Sequence, residues 1–74
     1  MPSKYPICTP VEVHKALIRA GFQDVKQTGS HAKMTNGKRI VIIPMHNKDL
    51  KVGTLKGILE QAGLFVDEFK EYLF

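Results

Sequence analysis

Hydrophobic positions recur at helical spacing in two long segments of the chain, separated by short alternating segments. The first helical segment covers about residues 10–20 and ends at Gly21. Its apolar face consists of Val13, Ala16, Leu17 and Ala20. The preceding Thr9-Pro10-Val11-Glu12 has the form of a capping box, with proline in the first turn where no amide is needed. The pattern therefore predicts a helix with a well-marked start.

Three short strands are expected after this helix, over residues 22–27, 31–35 and 39–43. Asn36-Gly37 is a hairpin signal between the second and third strands, and Pro44 ends the third. A second helix should start at Gly53-Thr54 and end at Gly63, and a short one should cover about residues 67–73. The order α-β-β-β-α with a final helical turn predicts an α+β fold. Its three-stranded antiparallel sheet carries all helices on one face and leaves the other open.

The strand pattern also predicts which side chains occupy that open face. Ala32 and Met34 suit the helix side, so His31, Lys33 and Thr35 should point outward. Either parity of the third strand buries aliphatic residues. A three-residue turn bulging at Gly37 is preferred because it keeps Arg39 out of the core. That register turns Ile40 and Ile42 inward and places His31, Lys33 and Arg39 on one surface.

Length and composition narrow the class of protein. The 74 residues suffice for one domain, taken as residues 1–74, without room for a deep substrate cavity. One cysteine excludes an internal disulfide, and the three histidines lack zinc-site spacing, so no metal or cofactor is expected. No apolar run approaches a membrane span of roughly 18 residues. The first six residues lack a signal-peptide core, so the expected location is the cytoplasm.

Charge is distributed unevenly along the chain. Residues 1–57 hold ten Lys or Arg and three acids, a net charge of +7, whereas residues 58–74 carry −3. A basic field of this kind attracts polyanions such as RNA. Charge alone does not separate RNA binding from a solubilising lysine surface.

One segment brings together groups with catalytic chemistry. Gly29-Ser30-His31-Ala32-Lys33 combines an imidazole, a hydroxyl and an amine beside a glycine. A histidine can move the proton that RNA cleavage by the adjacent 2′-hydroxyl requires, and Lys33 could neutralise the phosphate. Spacing alone favours a simple surface histidine.

Several motifs, in order, resemble the HicA family of toxins over about residues 6–74. They are Gly29-Ser30-His31 with Lys33, Gly37-Lys38-Arg39, Pro44-Met45-His46-Asn47-Lys48, Gly53-Thr54-Leu55 and the segment 58–64. The resemblance implies a double-stranded-RNA-binding-domain-like α-β-β-β-α fold and a ribosome-independent endoribonuclease that cleaves mRNA. It also implies catalysis by His31 and neutralisation by a HicB-type antitoxin. The RNA-binding candidates are Ser30, Lys26, Lys33, Lys38 and Arg39.

Other candidate residues carry weaker signals. His46, in a basic loop, could supply an acid or contact phosphate, and His14 is expected to be a solvated helix residue. Cys8 is expected to be a packing residue. The aromatic residues near the C-terminus are expected to pack the core and the chain end: Phe65, Phe69, Tyr72 and Phe74.

Two alternatives to an RNase remain open at this point: an RNA-binding module of the same fold that does not cut, and a protein-interaction domain with a basic face. An antitoxin is expected to cover the open face. In a register that exposes Val41 and Ile43, it would seat an apolar side chain on Val41 and block His31.

Overall fold

The computed structural model describes residues 4–74. Residues 1–3 lie outside the described residues; they belong to the predicted domain of residues 1–74 and to the N-terminal segment that lacks a signal-peptide core. The elements are α1 (Pro10–Arg19), β1 (Gln23–Thr28), β2 (His31–Thr35), β3 (Ile40–Pro44), α2 (Val52–Ala62) and α3 (Val66–Leu73). The strands form one antiparallel sheet in the order β1-β2-β3. This arrangement confirms the predicted fold class, with element ends within a residue or two of expectation.

The predicted capping box at the start of α1 is present. The Thr9 hydroxyl accepts a hydrogen bond from the Glu12 amide at 3.3 Å, and the Glu12 carboxylate accepts one from the Thr9 amide at 2.8 Å. The two bonds satisfy amides that lack helical partners. At the end of α2, Gly63 adopts a left-handed conformation with φ of 72°, also as predicted.

The core lies between the helices and one face of the sheet. β2 contributes Ala32 and Met34, and β3 contributes Val41 and Ile43. Facing them are buried side chains of the three helices: Val13, Ala16, Leu17, Leu55, Ile58, Leu59, Ala62 and Phe69. The other sheet face is the open face, formed by the residues that alternate with these. The outward orientation predicted for His31 and Lys33 is confirmed, since both are exposed.

The predicted register of β3 was wrong. Val41 and Ile43 are fully buried, whereas Ile40 and Ile42 are 55% and 47% exposed. The hairpin uses a two-residue turn, Gly37–Lys38, closed by the Asn36 amide donating to the Arg39 carbonyl. Gly37 has φ of 93°, and within the described residues only glycines have positive φ, so φ of Lys38 is negative. That combination fits a type II′ turn, whose first central position favours glycine.

The position of Arg39 explains why the observed two-residue turn costs little, although the sequence favoured a three-residue turn that keeps Arg39 out of the core. The parity of Arg39 does place it on the helix side, but at the end of the sheet and beyond the core, where its side chain remains exposed. There it lies over Gly63: a Cβ built on Gly63 would be 2.7 Å from the Arg39 Cζ. The guanidinium therefore stays in contact with water, and the penalty for a buried unpaired charge does not arise.

The two edges of the sheet differ in how they are tied to the helices. All six residues of β1 are exposed, and the strand has an irregularity between Asp24 and Lys26. His14 of α1, expected to be solvated, is 27% exposed and places Nε2 2.7 Å from Oδ1 of Asp24, so it is partly solvated and has a partner on β1. At the other edge, Gln61 of α2 accepts a hydrogen bond from the Ile42 amide at 3.0 Å. Side chains of the helix layer thus brace both edges.

Within residues 4–74, none of the helices has the length and apolar character that a membrane span requires.

Candidate nucleic-acid interface

Strand register arranges the open face in three cross-strand rows. His31 lies opposite Thr28 and Pro44, Lys33 lies opposite Lys26 and Ile42, and Thr35 lies opposite Gln23 and Ile40. Directly opposed residues project on the same side of a sheet. The face is therefore polar and basic along β1 and β2 and apolar along β3.

His31 is the first residue of β2 and directly follows the turn Gly29–Ser30. Gly29 has φ of 55°, a left-handed conformation that suits glycine in a two-residue hairpin turn. The turn places Ser30 Oγ 3.5 Å from His31 Nδ1. In the tautomer whose Nδ1–H donates to Ser30, Nε2 carries a lone pair and is free to take a proton. The arrangement presents an exposed imidazole whose second nitrogen is available to a ligand.

Lys26 and Lys33 form a like-charge pair across β1 and β2. Such a pair is unfavourable in the isolated sheet because the two ammonium groups repel one another. None of the nine residues in the three rows is acidic, and the nearby Asp24 opposes inward-facing Met34 and pairs with His14 on the helix side. An anion between the two lysines would relieve the repulsion, so the pair favours phosphate binding.

Two predicted RNA-binding residues lie away from this group. Lys38 is in the β2–β3 turn, at the opposite end of β2 from His31, which is roughly 13 Å for four residues of strand. Arg39 lies on the helix side over Gly63, so the predicted surface shared by His31, Lys33 and Arg39 was wrong in its third member. The structure gathers Ser30, His31, Lys33 and Lys26, and separates Lys38 and Arg39 from them.

The apolar part of the open face belongs to Ile40, Ile42 and Pro44. Sequence reasoning anticipated exposed aliphatics beside His31 but named Val41 and Ile43, which are in the core. The error follows from the register, because a shift of one residue exchanges the two faces of a strand.

The loop after β3 lies close to the turn that carries His31, and the sequence did not predict this proximity. The Met45 amide donates a hydrogen bond to the Ser30 carbonyl, which joins this loop to the turn that carries His31. His46 follows and is exposed, with its Nδ1 accepting a hydrogen bond from the Lys48 amide at 3.2 Å. The concentration of cations in the loop was visible in the sequence, but its position beside His31 was not.

The remaining candidates lie outside the open face. Burial, followed by the charges of Glu12 and Asp49, raises the pKa of the Cys8 thiol to about 11, so it is protonated at neutral pH and acts in packing as predicted. Phe69 is fully buried and Tyr72 packs against the core, but Phe65 and Phe74 are 79% and 93% exposed, so the packing role expected of them was wrong. No three His, Cys, Asp or Glu side chains cluster as metal ligands within residues 4–74.

These features define a small α+β domain in which one sheet face is covered by helices and the other presents a histidine, two opposed lysines and an apolar strand. Residues 11–64 match the family model described as the HicA toxin of bacterial toxin-antitoxin. The match covers more than two thirds of the chain, which therefore belongs to the HicA toxin family. Membership makes it the toxin of a toxin–antitoxin pair and implies an antitoxin partner. No curated protein matches the chain at a significant level.

Proposed function

We propose that this protein is an endoribonuclease that cleaves mRNA with His31 as its catalytic residue and is neutralised by a HicB-type antitoxin. The observation that carries the proposal is the exposed imidazole of His31 in the row beside the opposed Lys26–Lys33 pair. The cytoplasm, where mRNA is found, is the compartment in which such an activity would operate.

The proposed reaction needs one proton acceptor and a positive environment. His31 Nε2 takes the proton of a ribose 2′-hydroxyl, and the oxygen attacks the adjacent phosphorus. The bond from phosphorus to the 5′-oxygen breaks, and the protonated imidazole or water returns a proton to that leaving oxygen. The products are a 2′,3′-cyclic phosphate and a 5′-hydroxyl end. Lys33 and Lys26 stabilise negative charge on the phosphate oxygens as it develops.

Ser30 has two roles in this scheme. Its hydroxyl lies near His31 Nδ1 and can hold the imidazole in the reactive tautomer, and the same group can donate a hydrogen bond to phosphate. The rate should be modest, because general acid–base catalysis contributes about 10²- to 10⁴-fold and an open sheet excludes little water.

The antitoxin is proposed to cover the open face. Ile40 and Ile42 are half exposed beside Lys33, which favours a partner that combines apolar and acidic side chains. A partner seated on both parts of the face would occlude His31.

The deciding experiment incubates the purified protein with a long RNA in EDTA and analyses the ends produced. We expect cleavage by the wild type and none by His31→Ala, with a nearly unchanged melting temperature because the side chain is exposed. His14→Ala is the matched control: it removes an imidazole from the helix side and should retain cleavage.

The other outcomes separate the alternatives. RNA retained but uncut by the wild type would indicate a non-catalytic RNA-binding module of the same fold. Indifference to RNA would indicate a protein-interaction domain. An unfolded His31→Ala variant would show that the residue is structural.

A further inference from the structure

The loop between β3 and α2 is anchored at both ends, and its first anchor lies beside the row that contains His31. At its start, Pro44 lies opposite His31, and the Met45 amide bonds the Ser30 carbonyl. At its other end, Leu50 is buried, and its amide donates to the Cys8 carbonyl at 2.9 Å. The first anchor places the start of the loop beside the row that contains His31, and the second attaches the far end of the loop to the segment before α1.

A groove of about 380 Å³ opens along this loop, with Pro44, His46, Lys48, Lys51 and Thr54 on its walls. Asp49 also borders it. No ion pair within the described part of the chain joins Asp49 to either lysine. Both ammonium groups are therefore available to a ligand, and the carboxylate only reduces their combined field.

The hydrogen bond inside the loop decides what His46 can do. Because Nδ1 accepts from the Lys48 amide, the imidazole proton is on Nε2. In that form His46 donates a hydrogen bond through Nε2 and does not serve as a base. The residues that border the groove thus carry an imidazole N–H, two ammonium groups and the Thr54 hydroxyl, a set of donors that suits an anion.

We propose that this groove binds a second phosphate of the RNA strand, next along the chain from the one attacked at His31. The inference rests on the proposed function. RNA is favoured as the ligand because a strand that crosses His31 toward β3 reaches Pro44 and then enters the groove. The second phosphate site fixes the position of the RNA strand at His31. A single row of side chains on an open sheet would hold the RNA only weakly.

The test compares two double variants with the same loss of charge. Lys48→Gln/Lys51→Gln removes both groove cations, and Lys15→Gln/Lys70→Gln removes two cations from α1 and α3. The probe is a single-stranded 12-nucleotide RNA fully 2′-O-methylated, which the proposed reaction cannot cleave. Its affinity is measured by fluorescence anisotropy across a series of NaCl concentrations, after thermal melting has shown that both variants fold.

We expect the groove variant to flatten the slope of log affinity against log salt by roughly 0.7, the contribution of the one phosphate that the two lysines no longer neutralise. The control variant should change the slope little, because its charges lie outside the proposed path. His46→Ala should weaken binding several-fold with an unchanged slope, as expected when a neutral hydrogen bond is removed.

Equal slopes for the two double variants would overturn the proposal, and so would a groove variant that loses antitoxin binding while retaining RNA binding. An unchanged affinity for His46→Ala would remove His46 as a donor and overturn the groove as described. In each case, His31-dependent cleavage by the wild type would leave the proposed function standing. Failure of the wild type to bind or cut RNA would instead overturn the proposed function.

Discussion

The two parts of the open face make different demands on a ligand. Along β1 and β2 it presents Lys26, Lys33 and His31, whose charges and donors suit phosphate. Along β3 it presents Ile40 and Ile42, about half exposed and without charge. RNA can satisfy the first part but gains little from the second, because phosphate and ribose are strongly hydrated.

The contrast indicates that one sheet face is suited to two kinds of partner. Exposed aliphatic residues beside cations are costly to leave in water and are typical of protein interfaces. A partner that covers β3 and extends an acidic segment toward Lys33 would compete with RNA for the same surface. Inhibition would then require no change in the structure of the toxin.

The largest expected effect tests the register on which the contrast depends. Val41→Lys places an ammonium group in the core and should lower the free energy of unfolding by about 3 kcal/mol or more. Ile42→Lys, one residue further, changes a half-exposed side chain and should cost less than about 1 kcal/mol. Urea unfolding measures both. A reversed order would show that β3 presents the opposite face.

A second experiment tests the apolar part of the face against the antitoxin. Ile42→Lys should weaken antitoxin binding by about tenfold, mainly through faster dissociation, because the interaction it removes is apolar and short-ranged. Surface-immobilised antitoxin and a concentration series of toxin give both rate constants. Val11→Lys, which changes an exposed valine on α1, is the matched control. If the control weakens binding and Ile42→Lys does not, the antitoxin docks on the helix side.

The smallest effect distinguishes Lys33 from Arg39, two cations that the sequence placed on one surface and the structure places on opposite sides of the sheet. Lys33→Gln should flatten the slope of log RNA affinity against log salt by roughly 0.7, because one phosphate is no longer neutralised. Arg39→Gln should change it much less, since Arg39 lies over Gly63 on the helix side. The uncleavable RNA probe measures both. Equal effects would place the RNA path over the end of the sheet as well as across its open face.

Features predictable from sequence were those decided by neighbouring residues. Thr9 and Glu12 are three positions apart, so their reciprocal hydrogen bonds form wherever that turn becomes helical. The alternation of Ala32 and Met34 with His31 and Lys33 likewise assigned the faces of β2, because only one parity placed charge in water.

β3 lacked such a local signal. Both faces of the strand carry aliphatic residues: Ile40, Val41, Ile42 and Ile43. The prediction of which face is buried therefore depended on the type of turn and on the position of Arg39. A glycine at Gly63, 24 positions away, leaves room for the Arg39 side chain at the end of α2. No residue near Arg39 in the sequence indicates that this space exists. The argument from a buried charge therefore favoured a three-residue turn, which was wrong.

By itself the sequence determined the order of the elements, the ends of the helices and the outward position of His31, because these depend on caps, turns and periodicity over a few residues. Tertiary structure alone decided which isoleucines reach water, where Arg39 lies, and that the loop of His46 adjoins the turn of His31. The first two depend on the packing of α2 against β3, two segments that are remote in the chain. The third depends on the pairing of β3 with β2 and on the hydrogen bond from Met45 to Ser30.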